Sequence, residues 1–294
     1  KTAIVHGTGL LPQDWAAMAA EGASLVWSPR TNISLYGFTA AIVPAIESGV
    51  NVGLGTDWTA TGSMNMVREL RCVDDYNRNN LNGYLTDQQI VERATLRTAR
   101  AAGSFDQIGT IAYGRVADIT IFAANQNAGY RAVIDADPED VVLVLRGGRV
   151  MYGDAELVNN LPSGDIGCEE IDVCGVQKRV CAERETGSTV SQMRAAIPSD
   201  AYDLFYCDTP PMEPSCIPFR MNEFVGIPMP GMDDDGDGIP TADEARDADG
   251  VAKDDDGDKT DDNDYNATAA DKDYNDDDAD NRTTIFQRFN CQSW

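Results

Sequence analysis

Histidine is almost absent from this chain: His6 is the one imidazole in 294 residues. Chemistry that needs several imidazoles cannot be completed by these residues alone. Positive charge is scarce as well. Lys and Arg number 23 against 49 Asp and Glu, which gives a net charge of −26 and a pI of about 4.1. That balance excludes a nucleic-acid partner, because phosphate binding needs a basic face. No run of 18 apolar residues occurs, so no membrane span is expected. No Cys-x-x-Cys pair occurs either, which disfavours a zinc ribbon. Residue 1 is Lys rather than Met, two residues ahead of an apolar strand pattern, and a truncated or processed polypeptide is expected.

What is present changes character along the chain. The length allows roughly two domains and a tail. Short apolar runs at 3–6, 24–28 and 50–54 read as strands, with helices over 12–21 and 40–48 between them. An amphipathic helix follows over 63–78, with Met66, Val67, Leu70 and Val73 on one side. Thr86-Asp87-Gln88-Gln89 resembles a capping box and opens a helix that reaches Ala102, with Gly103 as its stop. The alternation predicts an α/β fold with a parallel sheet. After Gly103 the period shortens. Runs at 108–111, 117–122, 141–145 and 149–152, with Gly147-Gly148 as a turn, predict a small β module. The expected organisation is an α/β part over 1–104, the β module over 105–160, an irregular Cys-rich extension over 161–230, an Asp-rich tail over 231–282 and a terminal segment over 283–294.

Three polar blocks stand at the C-terminal ends of the three strand patterns, where alternating β/α enzymes build their sites. They are His6-Gly7, Ser28-Pro29-Arg30-Thr31-Asn32 with Gly37, and Gly55-Thr56-Asp57. In this order and spacing they resemble the sixth, seventh and eighth barrel strands of the amidohydrolase superfamily, in particular its aminohydrolase and deaminase-like members. The stretch Ser63–Leu70 resembles the helix after the eighth strand there, and Ile108–Ile119 resembles the returning β module beside the barrel. The resemblance covers about residues 1–153. It implies the last three β/α units of a TIM-type barrel and hydrolysis at a C–N bond of a small-molecule substrate. It also implies a zinc or iron ion that brings bound water toward neutrality.

On that resemblance Asp57 is a metal ligand and takes a proton from the attacking water. His6 sits beside the metal and stabilises developing negative charge. Asn32 holds the loop or Asp57 by hydrogen bonds, and Arg30 and Trp58 line the substrate pocket. The family's His-x-His pair and fifth-strand His have no counterpart here. The barrel portion that would carry them is an expected partner, and the chain alone is expected to be inactive, with exposed strand edges near Ile4 and in the β module. Without the resemblance, a lone His at a strand end is a structural residue and Asp57 a helix cap.

The acidity is concentrated at the end. Residues 233–281 hold 21 Asp or Glu against four basic residues. Asp233, Asp235, Asp237 and Glu244 stand at positions 1, 3, 5 and 12 of a calcium loop, with Gly238 at position 6. Asp254, Asp256, Asp258 and Asp261 form a looser repeat. Without flanking helices, these loops resemble thrombospondin type 3 repeats. Six of seven cysteines fall after residue 160, which predicts a disulfide framework and an extracytoplasmic location. The second reading is therefore a non-catalytic, secreted calcium-binding surface or adhesion protein. Calcium titrated into the full chain is expected to release heat and to slow proteolysis of residues 231–282. Silence in both readouts contradicts the calcium assignment.

Overall fold

The computed structural model describes residues 2–125, 127–161, 167–198 and 202–220. The chain divides into two units, Lys1–Phe219 and Arg220–Trp294. The calcium-loop positions Asp233, Asp235, Asp237, Glu244, Asp254, Asp256, Asp258 and Asp261, together with Cys291, lie outside the described residues.

The first 54 residues build a parallel sheet from β1 (Ala3–Val5), β2 (Ser24–Trp27) and β3 (Asn51–Leu54), ordered 1-2-3. The helix α1 (Pro12–Ala20) returns the chain from β1 to β2. Two helices, α2 (Pro29–Tyr36) and α3 (Ile42–Glu47), return it to β3. Pro at the first position of α1 and α2 suits helix starts, where its missing N–H needs no partner. The strands are too short for an isolated sheet, and their stability comes from burial. Trp15, Leu25, Trp27, Ile33, Val52 and Leu54 are almost fully buried in one core with Leu70 and Val73 of α4 (Met66–Asn80). Ile4↔Leu25 and Val26↔Gly53 set the register.

The two edges of this sheet differ. β1 leaves Val5 exposed. β3 is covered by a π-helical turn over Arg93–Arg97, which continues α5 (Asp87–Glu92), and by α6 (Thr98–Ala101). Arg93 Nη1 donates to the Val52 carbonyl at 3.0 Å, and the Thr98 hydroxyl lies 2.9 Å from both the N–H and the carbonyl of Leu54. Side chains thus supply the hydrogen bonds that a neighbouring strand would otherwise make. The approach is close enough that a Cβ on Gly53 would stand 2.9 Å from the Thr98 Cα.

The second sheet is larger than expected. It contains β4 (Ile119–Phe122), β5 (Val141–Arg146), β6 (Arg149–Asp154), β7 (Glu169–Val173) and β8 (Val176–Val180), in the order 4-5-6-8-7 and antiparallel throughout. The expected run at 108–111 is an irregular bend instead of a strand. The expected irregular extension is corrected more substantially: β7 and β8 form a hairpin about Cys174-Gly175 that extends the β module. Both turn residues have positive φ (56° and 86°), as a two-residue hairpin turn requires. The disulfide Cys168–Cys181 ties the hairpin ends together. Lys178, fully buried, bonds the Glu139 and Val141 carbonyls and the Asp154 carboxylate, which satisfies all three of its donors.

The rest of the extension lies against the α/β part. Cys72, the one cysteine before residue 160, is bonded to Cys216, and Cys174 to Cys207. Glu213 reaches between two arginines: it takes a forked pair of bonds from Arg68 and lies 3.2 Å from Arg30. The Phe219 N–H donates to the Gly37 carbonyl. Among the described residues no helix is long and apolar enough to cross a membrane.

Thr98→Val keeps shape but removes the hydroxyl, leaving the Leu54 N–H buried without a partner. Unfolding by denaturant is expected to show a loss of about 1–3 kcal/mol, with Thr98→Ser close to wild type. Equal stability of Thr98→Val and wild type contradicts the edge assignment.

Candidate active site

Parallel pairing carries the ends of β1 and β3 to the same side of the sheet. The His6 N–H donates to the Val26 carbonyl at 3.0 Å, and the Gly55 N–H to the Trp27 carbonyl at 2.9 Å. Residues 6 and 57 follow these last rungs. Both adopt left-handed backbone, with φ of 68° at His6 and 59° at Asp57, a conformation uncommon outside glycine that Asn, Asp and His take more readily than other L residues. At His6 the chain closes a three-residue turn, Gly7 N–H to Val5 carbonyl at 2.9 Å. Such positions cost of order 1–3 kcal/mol and persist where the surroundings over-determine them. The surroundings here are tight: a Cβ on Gly7 would stand 2.7 Å from the Leu25 side chain.

The two turns bring His6 Nε2 within 3.7 Å of Asp57 Oδ2, with side chains 29% and 32% exposed. No hydrogen-bond donor among the described residues reaches the Asp57 carboxylate. His6 Nδ1 lies 3.0 Å from Asn32 Nδ2, and Asn32 is fully buried on α2. Asn32 therefore holds the imidazole rather than Asp57. Tyr36, one turn further along α2, stands edge-on to His6 with ring centroids 6.4 Å apart. Tyr36 escaped sequence reasoning; its spacing of four from Asn32 is the signal, once 29–36 is known to be helical.

Trp58 follows Asp57 and is 61% exposed, with its indole N–H bonded to the Thr61 hydroxyl at 2.6 Å. The loop beyond it needs Gly62, where a Cβ would meet the Thr56 carbonyl oxygen at 2.0 Å. Arg30 is not brought to the His6–Asp57 pair. It is buried, donating to the Ser63 hydroxyl at 2.6 Å, the Arg68 carbonyl at 3.2 Å and the Pro214 carbonyl, and pairing with Glu213. Its N–H groups are occupied by the protein.

No group of three or more His, Cys, Asp or Glu side chains capable of holding a metal occurs among the described residues. Zinc takes about four ligands, so His6 and Asp57 alone do not make such a site. They form a carboxylate–imidazole pair whose carboxylate accepts no hydrogen bond from the described residues.

Beside Arg30 and Ser63 lies a buried carboxyl. Glu69 is fully buried and accepts from the Ser63 hydroxyl and, at 3.3 Å, from the Arg30 N–H. Burial raises its pKa to about 7, against the lowering effect of those bonds. Between about pH 4.5 and 7 the folded chain then holds a proton that the unfolded chain has released, so this group's contribution to stability falls as pH rises through that window. Glu69→Gln is expected to remove this fall, worth on the order of 3 kcal/mol. Unfolding curves at stepped pH check it; an unchanged slope in the variant contradicts it.

The model of the Amidohydrolase family matches residues 1–151. A 5-methylthioadenosine/S-adenosylhomocysteine deaminase of Desulforudis audaxviator is 31% identical over 171 residues, covering 52% of this chain and 40% of its own length. The enzyme of that name from Thermococcus onnurineus is 31% identical over 164 residues, covering 52% and 38%. A zinc-bound adenosine deaminase structure from Xanthomonas campestris is 26% identical with a TM-score of 0.46, over 50% of this chain and 36% of that one. The chain spans about 40% of the length of the curated relatives it matches. Half of the residues, including both strand-end turns and the sheet that sets them, fall within the matched stretch, and the chain belongs to the amidohydrolase family.

Proposed function

We propose that residues 1–151 form part of a metal-dependent hydrolase that cleaves a C–N bond of a small molecule, of the deaminase or cyclic-amide type. The observation that carries this reading is the Asp57 carboxylate, free of hydrogen-bond donors among the described residues and facing the imidazole of His6 at 3.7 Å. The family membership and the deaminase relatives support it. An amino group on an adenosine-like heterocycle is the substrate this reading favours: water adds at the ring carbon and ammonia leaves.

Zinc or iron is the ion it calls for, with Asp57 as one ligand and imidazoles from polypeptide outside this sequence as others. The chain's own residues supply proton handling. Asp57 Oδ2 accepts a proton from the attacking water, and the His6 imidazole, fixed by Asn32, faces the negative charge that develops on the substrate. On this reading Trp58, next in the chain after Asp57, covers one side of the substrate. The last three β/α units of a barrel, completed by that other polypeptide, are the architecture this reading requires.

The three disulfides support an oxidising, extracytoplasmic setting. They equally favour the second reading, a secreted calcium-binding surface protein, whose working part would be residues 231–282. An ammonia-release screen on the natural polypeptide, using adenosine, its 5′-modified derivatives and guanine, separates the two. Turnover that falls by about 10²–10⁴-fold in Asp57→Asn is expected. Turnover indifferent to that substitution, or none on any C–N substrate, contradicts the hydrolase reading.

A further inference from the structure

Three buried side chains behind His6 form a directional chain of hydrogen bonds. The Trp27 indole Nε1–H donates to the Thr39 hydroxyl at 2.6 Å. Thr39 Oγ1 lies 3.0 Å from Asn32 Oδ1, and Asn32 Nδ2 lies 3.0 Å from His6 Nδ1. Trp27 and Asn32 are fully buried and Thr39 is 8% exposed, so water does not compete along the chain.

The direction follows from the first member. An indole N–H can only donate. Thr39 oxygen accepts from it, and the single hydroxyl proton of Thr39 has Asn32 Oδ1 as its acceptor. The Asn32 amide is thereby turned with its NH2 toward His6. A donor facing Nδ1 requires a lone pair on Nδ1, so the proton of the neutral imidazole resides on Nε2, the atom nearest Asp57. With the amide reversed, two donors would converge on the Thr39 oxygen, and its hydroxyl proton would lose Asn32 as acceptor.

We propose that Trp27 and Thr39 are positioning residues that hold His6 in its Nε2–H form. They act through Asn32 and touch no reacting atom. The consequence is a role for His6: it presents a donor toward Asp57 and the substrate space, rather than a lone pair for a metal. This deepens the hydrolase reading, and rests on it for the identity of the reacting pair, but the proton's location can be measured without substrate or metal.

His6 is the one histidine of the chain, so long-range ¹H–¹⁵N correlation spectra of the full protein contain a single imidazole. The measurement is made with chelator present, at a pH about two units above the ordinary imidazole pKa of about 6.5. Wild type is expected to show the Nε2–H form in excess by about tenfold, equivalent to about 1.4 kcal/mol. Thr39→Val is expected to lose that excess and Thr39→Ser to restore it, and Trp27→Phe to weaken it, with the amide spectrum reporting that each variant is folded. An Nδ1–H signal in wild type overturns the proposal by itself, even if no variant folds. A tautomer ratio unchanged in folded Thr39→Val overturns it as well. The expected tautomer in a protein inactive on every C–N substrate would leave this inference standing and remove the hydrolase reading; the wrong tautomer in an active hydrolase would do the reverse.

Discussion

Parallel strand register is the constraint on which this structure depends. Residues 6 and 57 are remote in sequence, and no local interaction unites them. Ala3↔Ser24 and Ser24↔Asn51 start the three strands level, and each then runs to a polar turn on the same side. A slip of one residue in β1 or β3 would turn the buried face outward and separate the imidazole from the carboxylate. The glycines around the site serve that register. Gly53 lets α6 approach the backbone of β3, and Gly7 fits beneath Leu25 and Trp15. The left-handed backbone at His6 and Asp57 is held in place by this packing.

The extension past the family match is fastened to the same framework. Cys72 and Cys216 are separated by 144 residues, and closing so long a loop stabilises by about 2–5 kcal/mol. Glu213 adds a buried ion pair with Arg30, whose pKa is lowered by desolvation and raised by Glu213 and Glu69. Removing either partner would strand a buried charge. Arg30 lies two residues before Asn32, so the extension bears on the helix start that fixes His6. Folding of the α/β part and oxidation of its cysteine are therefore linked in one unit.

Much of this was legible because apolar period and punctuation agree. The three parallel strands, the helix capped by Thr86 and the Gly147-Gly148 hairpin follow from short-range rules. What stayed hidden depends on tertiary contacts. The helix over Pro29–Tyr36 was not read from the sequence because Ser-Pro-Arg-Thr-Asn carries little helix propensity; burial of Pro29, Arg30, Thr31, Asn32 and Ile33 overrides it. The β7–β8 hairpin was masked by charge, since its inward positions include Lys178, buried only because three acceptors converge on it. The Cys72–Cys216 bond and the enclosure of Arg30 join distant segments, which no local pattern encodes. The place of His6 and Asp57 beyond the ends of β1 and β3 followed from the strand pattern; the roles proposed for them came from the family resemblance alone.

The central claim is that the carboxylate of Asp57 is a metal ligand and the imidazole of His6 its neighbour. A crystal structure of the natural polypeptide with zinc, phased on the zinc anomalous signal, tests it most directly. The account predicts a peak bound to an Asp57 carboxylate oxygen, with His6 Nε2 adjacent but not coordinated. A peak coordinated by His6 with Asp57 turned away, or zinc bound elsewhere with Asp57 untouched, would contradict it.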